Sequence, residues 1–269
     1  MRVSDVRFGG LVALLGAGLS AQAFADPNLL VNPGAEAGVV GMAVPGWTTT
    51  SVFEVVSYAA GGGFPTFTDP GSPNRGQKFF AGGQGTALST ATQEVDLSAF
   101  ASAIDAGAQG FTLSGWIGGF ASQNDHCDID ATFLNGAHGT IGGANLGGVF
   151  AAQRASATGM LFRTTSGVIP AGTRSVAVAI TMTRDSGSYD DGYADDLSFA
   201  LGAACPCDLN GDGLVEDTDF TIFVAAYNIL DCADPSMPSG CPSDFNGDGV
   251  VEDADFTVFV KAYNDLLCP

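Results

Sequence analysis

The chain has 269 residues, with 29 acidic against 9 basic and a formal net charge of −20, enough length for one large domain and a small one. That sign excludes nucleic acid and anionic membrane surfaces as partners, because both attract the opposite charge, and it suits a chain that binds cations. Past residue 25 no stretch reaches the roughly 18 consecutive apolar residues of a membrane span, so no membrane insertion is expected.

Residues 1–25 read as a secretory signal. Arg2 and Arg7 give a basic start, "GGLVALLGAGLSAQAFA" is the apolar run, and Ala23-Phe24-Ala25 supplies the small-x-small cleavage pattern. The mature protein is expected to be secreted, outside the cell or at its surface.

Residues 26–203 alternate short apolar-polar runs with Gly, Pro, Asn and Asp clusters. "SVFEVVSY", "TATQEVDL", "FTLSGWIGGF", "DIDATFL", "GMLFRTT", "SVAVAITMT" and "DDLSFAL" all have a period of two. Many short strands with frequent turn signals predict a mainly β, antiparallel sandwich. In "FTLSGWIGGF", Trp116 shares parity with Thr112 and Ser114, so it is either a sugar-stacking platform or an indole packed under a loop. Trp47, after Pro-Gly, carries the same ambiguity. Tyr189 and Tyr193 fall in "SGSYDDGYADD", read as a loop that presents aromatics and acids to a glycan or is a solvated turn. "DHCDID" alternates as an ordinary strand, with Cys127 inward. No nucleophile elbow, phosphate loop or His-Glu-x-x-His is present, so no enzyme is expected.

The opening "NLLVNPGAEAG" and the closing "YADDLSFAL" resemble the first and last strands of carbohydrate-binding-module and galactose-binding-like jelly rolls. The resemblance implies a jelly-roll fold and a structural calcium at the matching positions, Glu36 and Asp195. By strand parity Asp195 shares the inward face of Leu197, Phe199 and Leu201. A carboxylate there needs a partner, either a calcium ion or a backbone hydrogen bond.

Residues 204–269 form a separate small module. Between 205 and 269 stand 13 acidic residues, one Lys and five of the six cysteines. Asp208–Asn228 and Asp244–Asn264 share 16 of 21 residues, an internal duplication. Asp208, Asn210, Asp212, Glu216 and Asp219 occupy positions 1, 3, 5, 9 and 12 of a calcium loop, and Asp244, Asn246, Asp248, Glu252 and Asp255 repeat them. Gly213 and Gly249 take the sharp turn at position 6, and Leu214 and Val250 offer carbonyls at position 7. Carboxylates this close repel one another unless a cation lies between them. After each loop, Phe220, Phe223, Val224, Tyr227 and Phe256, Phe259, Val260, Tyr263 form a helical apolar stripe. The unit is loop then helix, twice.

This segment resembles a type I dockerin, a duplicated EF-hand-type calcium module of secreted polysaccharide-degrading systems. The resemblance implies two Ca2+ ions and a cohesin-like scaffold protein as partner. The family's recognition positions 10 and 11 are Asp217 and Thr218, then Asp253 and Ala254. The basic helix residue is present as Lys261 but replaced by Ala225 in the first copy.

The cysteines follow the repeat: Cys205 and Cys241 precede their loops, and Cys232 and Cys268 follow them. Symmetry permits Cys205–Cys268 with Cys232–Cys241, or Cys205–Cys232 with Cys241–Cys268. The first is preferred because it clasps the module's ends. Cys207 has no counterpart, which leaves Cys127 as its partner by subtraction. The whole reads as a non-catalytic secreted protein joining a polysaccharide-binding sandwich to a calcium module. The alternatives are a structural surface protein without sugar binding and a glycoside-acting enzyme.

Overall fold

The computed structural model describes residues 27–42, 44–203, 207–210, 214–238, 241–246 and 248–265. The signal sequence, Asp212, Gly213, Cys205 and Cys268 lie outside them.

Among the described residues ten strands run in chain order: β1 (Thr48–Thr50), β2 (Glu54–Ser57), β3 (Lys78–Gln84), β4 (Leu88–Asp96), β5 (Gln109–Gly119), β6 (His126–Asn135), β7 (Thr140–Asn145), β8 (Gly159–Val168), β9 (Thr173–Thr183) and β10 (Tyr189–Ala203). They form two five-stranded sheets, ordered β1-β4-β9-β6-β7 and β2-β3-β10-β5-β8, with antiparallel pairing throughout. From β3 onward the chain crosses between the sheets at every connection except the β6–β7 hairpin. That connectivity is a jelly roll, extended by β1 and β2 at one side. A single turn of helix, α1 (Ala101–Asp105), lies in the β4–β5 crossover.

Each apolar-polar run read from the sequence lies within or overlaps a strand. β3 gave no alternation because both of its faces are covered. Phe80 packs into the core between the sheets, and Phe79 into a second cluster on the outer face of the second sheet. The inter-sheet core is built from β9 (Val176, Val178, Ile180, Met182), β6 (Cys127, Ile129, Ala131, Phe133), β5 (Leu113, Ile117) and β10 (Ala194, Leu197, Phe199). Burying each of the larger side chains contributes about 1.5–3 kcal/mol. Trp47 belongs here too, edge-on to Phe80 at 5.7 Å with its indole N–H donating to the Asn32 carbonyl.

The outer cluster (Val56, Tyr58, Phe79, Ala81, Met160, Tyr193) is roofed by the loop between β2 and β3. Phe64 of that loop stands edge-on to Tyr189 at 5.1 Å. Arg75 staples the loop, donating to the carbonyls of Thr66, Asp69 and Ser72 while lying over the Tyr58 ring.

The C-terminal module has its own core of Cys207, Val215, Phe223, Ala226, Met237, Val251 and Phe259. Its helices are α2 (Asp217–Tyr227) and α3 (Asp253–Asp265). The predicted stripe divides in two. Phe223 and Phe259 stack in the core with ring centroids 5.1 Å apart, while Phe220, Val224, Phe256 and Val260 remain exposed.

Candidate functional site

The loop roof ends beside Trp116. Beyond it, β5, β8 and β10 leave an open strip of sheet. Trp116 on β5 pairs in register with Phe162 on β8, and their rings lie 5.6 Å apart at 52°. Trp116 is half-buried and Phe162 is 48% exposed. Ser114 faces Thr164, Thr112 faces Ser166, and Ser198 flanks Ser114 from β10. A broad aromatic surface thus borders a flat field of small hydroxyls, a combination that takes the apolar face and the hydroxyl rim of a sugar ring. Phe162 escaped the sequence reading. Its alternation with Leu161 was visible, but its position beside Trp116 depends on the β5–β8 register.

The two tyrosines behave otherwise than expected. Both belong to strand β10, not to a loop. Tyr193 is fully buried against Phe79, with its hydroxyl 2.5 Å from Asp191 Oδ1. Tyr189 is partly buried and donates to Glu54 Oε1 at 2.7 Å. The loop carrying Phe64 covers both, so neither presents a ring to a ligand.

Asp195 is buried, but not on the face that parity assigned. A β-bulge between Asp195 and Ser198 inserts one residue relative to β5. Ala194 and Leu197 therefore both face the inter-sheet core, and Asp195 turns to the outer face beneath Tyr58. Tyr58 donates to its Oδ2 at 2.6 Å and the Asp196 N–H to its Oδ1 at 2.8 Å. Asp196 takes a left-handed φ of 45° at the bulge and accepts a short hydrogen bond from Ser72. Burial pushes the Asp195 carboxyl up to about 7 against the lowering effect of the Tyr58 bond. Glu36 Oε1 accepts the N–H groups of Gln77 and Lys78, both at 2.8 Å. Each carboxylate thus accepts hydrogen bonds, and the charges of Asp196 and Glu36 add to the upward push on Asp195.

A second buried acid lies at the start of β10. Asp190 is fully buried, its Oδ1 accepts the Gly192 N–H at 3.2 Å, and its Oδ2 has no hydrogen-bond partner among the described residues. Burial pushes it up to about 7. Nearby, Asp125 accepts the N–H groups of Asp185, Ser186 and Asp191. His126, in strand β6, pairs with Asp128 at 3.2 Å, and that contact raises its pKa. Asp125 thus ties the β5–β6 loop to the β9–β10 loop and to β10.

In the module, position 12 does structural duty. Asp219 is buried, with Oδ1 accepting the N–H groups of Leu209 and Asn210 and Oδ2 that of Glu216. Asp255 repeats the pattern with Phe245, Asn246 and Glu252. Each aspartate joins the start of its loop to the first turn of its helix, where a carboxylate is also favoured by the helix dipole. In the second loop, Asp244 accepts from the N–H groups of Asp248 and Gly249, Asn246 from Asp248, and Asp248 from Val250. These bonds wrap the backbone around the side-chain oxygens, and Gly249 turns at φ 93°. Val250 bridges Asp231 through the Gly249 carbonyl and the Val251 N–H, so the bridge leaves the Val250 carbonyl unused. Hard oxygens from carboxylates, an amide and a carbonyl form a donor set that fits calcium. The loops also cross-brace: Tyr227 donates to Asp253 and Tyr263 to Asp217, each at 2.5 Å. These aspartates hold position 10, so the module's own tyrosines engage the residues that the dockerin resemblance gives to a partner.

Cys232 and Cys241 are joined by a disulfide, which excludes the alternative of Cys205–Cys232 with Cys241–Cys268. Cys127 and Cys207 are free, each buried in the core of its own domain, so the expected link between them is not made.

No protein-family model matches the chain, and no curated protein matches it. Among solved structures, the enzymatically active domain of tailspike protein 4 of bacteriophage CBA120 is similar over 65% of this chain and 21% of its own, at 14% identity and a TM-score of 0.42. A family 16 carbohydrate-binding module is similar over 64% of this chain and 99% of its own, at 19% identity and a TM-score of 0.41. The CBM22-1 xylan-binding domain from Paenibacillus barcinonensis Xyn10C covers 67% of this chain and 98% of its own, at 13% identity and a TM-score of 0.37. At these scores the likenesses carry nothing about ligand or activity.

Proposed function

We propose that the chain is a secreted, non-catalytic binding protein. Its jelly roll holds a polysaccharide on the open strip of the second sheet. Its C-terminal module folds around two calcium ions and serves extracellular assembly or anchoring. The dockerin resemblance names a cohesin-like scaffold as the class of docking partner. The observation that carries the sugar reading is the Trp116–Phe162 pair, set on an otherwise small and polar sheet face. In the module, Asp244, Asn246, Asp248, Val250 and Asp255 would hold one ion. Asp208, Asn210, Leu214 and Asp219, with Asp212, would hold the other. Each ion would supply the positive charge that opposes repulsion among the 13 acids of the segment.

A glycan array on the mature protein identifies the sugar class. Affinity electrophoresis in that polysaccharide then compares wild type with Phe162→Ala and Trp116→Ala. Loss of about tenfold in affinity, equivalent to about 1.4 kcal/mol, is expected for each, with the melting temperature little changed for the exposed Phe162. Retention that survives both changes would leave the sandwich as a structural surface domain.

A further inference from the structure

The geometry points to the Cys232–Cys241 disulfide as a positioning device for the second calcium loop, so that the disulfide state and the calcium affinity of that loop are coupled. This rests on the calcium reading of the module and goes beyond it.

The disulfide clamps the loop from two sides. On one side, Cys232 donates its N–H to the Gly249 carbonyl at 3.1 Å, and Leu230 accepts from Val251 N–H at 2.7 Å. The segment 230–232 is therefore paired with positions 6 to 8 of the loop. On the other side, the Cys241 carbonyl accepts the Asp244 N–H at 3.0 Å, and Cys241 holds a left-handed φ of 47°. That turn delivers position 1. The disulfide joins the two sides with Cα atoms 5.4 Å apart across nine residues of sequence. Its Cys232 sulfur lies 3.7 Å from Asp244 Oδ2, the same oxygen that accepts the Gly249 N–H at 2.9 Å. Position 1, position 6 and both sulfurs thus meet at one point.

A ligand set fixed before the ion arrives binds more tightly, because the ordering cost has already been met. Cutting the clamp lets the 230–232 strand and the 241–244 turn move apart in the ion-free chain, and the ion must then order both. Coupling of this kind is reciprocal. If the disulfide favours calcium, calcium favours the disulfide by the same factor. Reduction by a dithiol passes two electrons and two protons to the bond, leaving two thiols at Cys232 and Cys241 while the dithiol closes to its cyclic disulfide.

The test uses the full mature chain and calcium chloride in a calorimeter. Wild type is expected to bind two ions. Cys232→Ser/Cys241→Ser is expected to keep one site unchanged and to weaken the other about tenfold, a size typical of lost outer-shell support. Asp248→Ala, which disables the second loop, assigns the sites: in that background the serine changes should leave the remaining affinity unaltered. Equal affinities with and without the disulfide, or weakening of the first loop instead, would overturn the proposal while leaving the calcium reading intact. A wild type that binds no calcium would overturn both. If the serine variant does not fold in saturating calcium, the reciprocal arm decides. The fraction of wild type with Cys232–Cys241 intact is mapped across a dithiothreitol series with calcium and with chelator. The midpoint should move by about tenfold in the reduction equilibrium, and an unmoved midpoint would refute the coupling.

Discussion

Tyr58 donates a 2.6 Å hydrogen bond to Asp195 Oδ2 across 137 residues of sequence, and both side chains are buried. The bond ties the start of the roofing loop to the bulge of β10. Tyr58→Phe keeps the ring and removes the donor. A buried carboxyl oxygen then loses its partner, at a cost of about 1–3 kcal/mol. Urea unfolding of the mature chain should show the sandwich transition lowered by that amount. An unchanged midpoint would mean that Asp195 finds another donor.

Asp190 links stability to pH. Its folded pKa of about 7 lies above the ordinary 3.8, so the folded chain holds this proton where the unfolded chain has released it. The stabilisation is complete below the ordinary value and is lost as the pH climbs from about 4 to about 7. Asp195, raised in the same way, adds to the slope. Each pKa unit corresponds to about 1.4 kcal/mol, so the order of magnitude is a few kcal/mol. Melting temperatures measured from pH 4 to 8 should fall through this window, and Asp190→Asn should flatten the fall. A variant as steep as wild type would assign the slope elsewhere.

Calcium should govern the order of α2 and α3. The segment 205–269 carries 13 acids and one Lys, a charge that opposes its small core. Two bound ions contribute RT ln(1 + [L]/Kd) each, about 4 kcal/mol at a thousandfold excess over Kd. Amide exchange in both helices should be slow in calcium and fast in chelator. Asp219→Ala and Asp255→Ala should each remove one site and its protection. Equal exchange with and without calcium would refute the dependence.

The two free thiols should be silent until unfolding. Burial pushes the Cys127 thiol well up and the Cys207 thiol to about 11, so little thiolate exists at neutral pH. Alkylation of native, unreduced protein should leave both unlabelled, and alkylation in denaturant should label both. A Cys127–Cys207 peptide in the unreduced map would contradict the structure.

What the sequence determined by itself was local. Alternation in "DIDATFL" and "SVAVAITMT" placed β6 and β9, because a half-buried strand must alternate. The 16 shared residues of the repeat placed both loops and both helices, because a loop's oxygens are spaced along the chain itself. Tertiary structure decided whatever depended on a partner far away in sequence. The inserted residue at Asp195–Ser198 reversed a parity that the string could not reveal, since a bulge is defined against the opposite strand. Tyr193 became core and Phe162 surface because the β2–β3 loop roofs one end of the second sheet and leaves the other open. The disulfide between Cys232 and Cys241, one of two pairings that symmetry allowed, needed the folded module to bring 230–232 against its second loop.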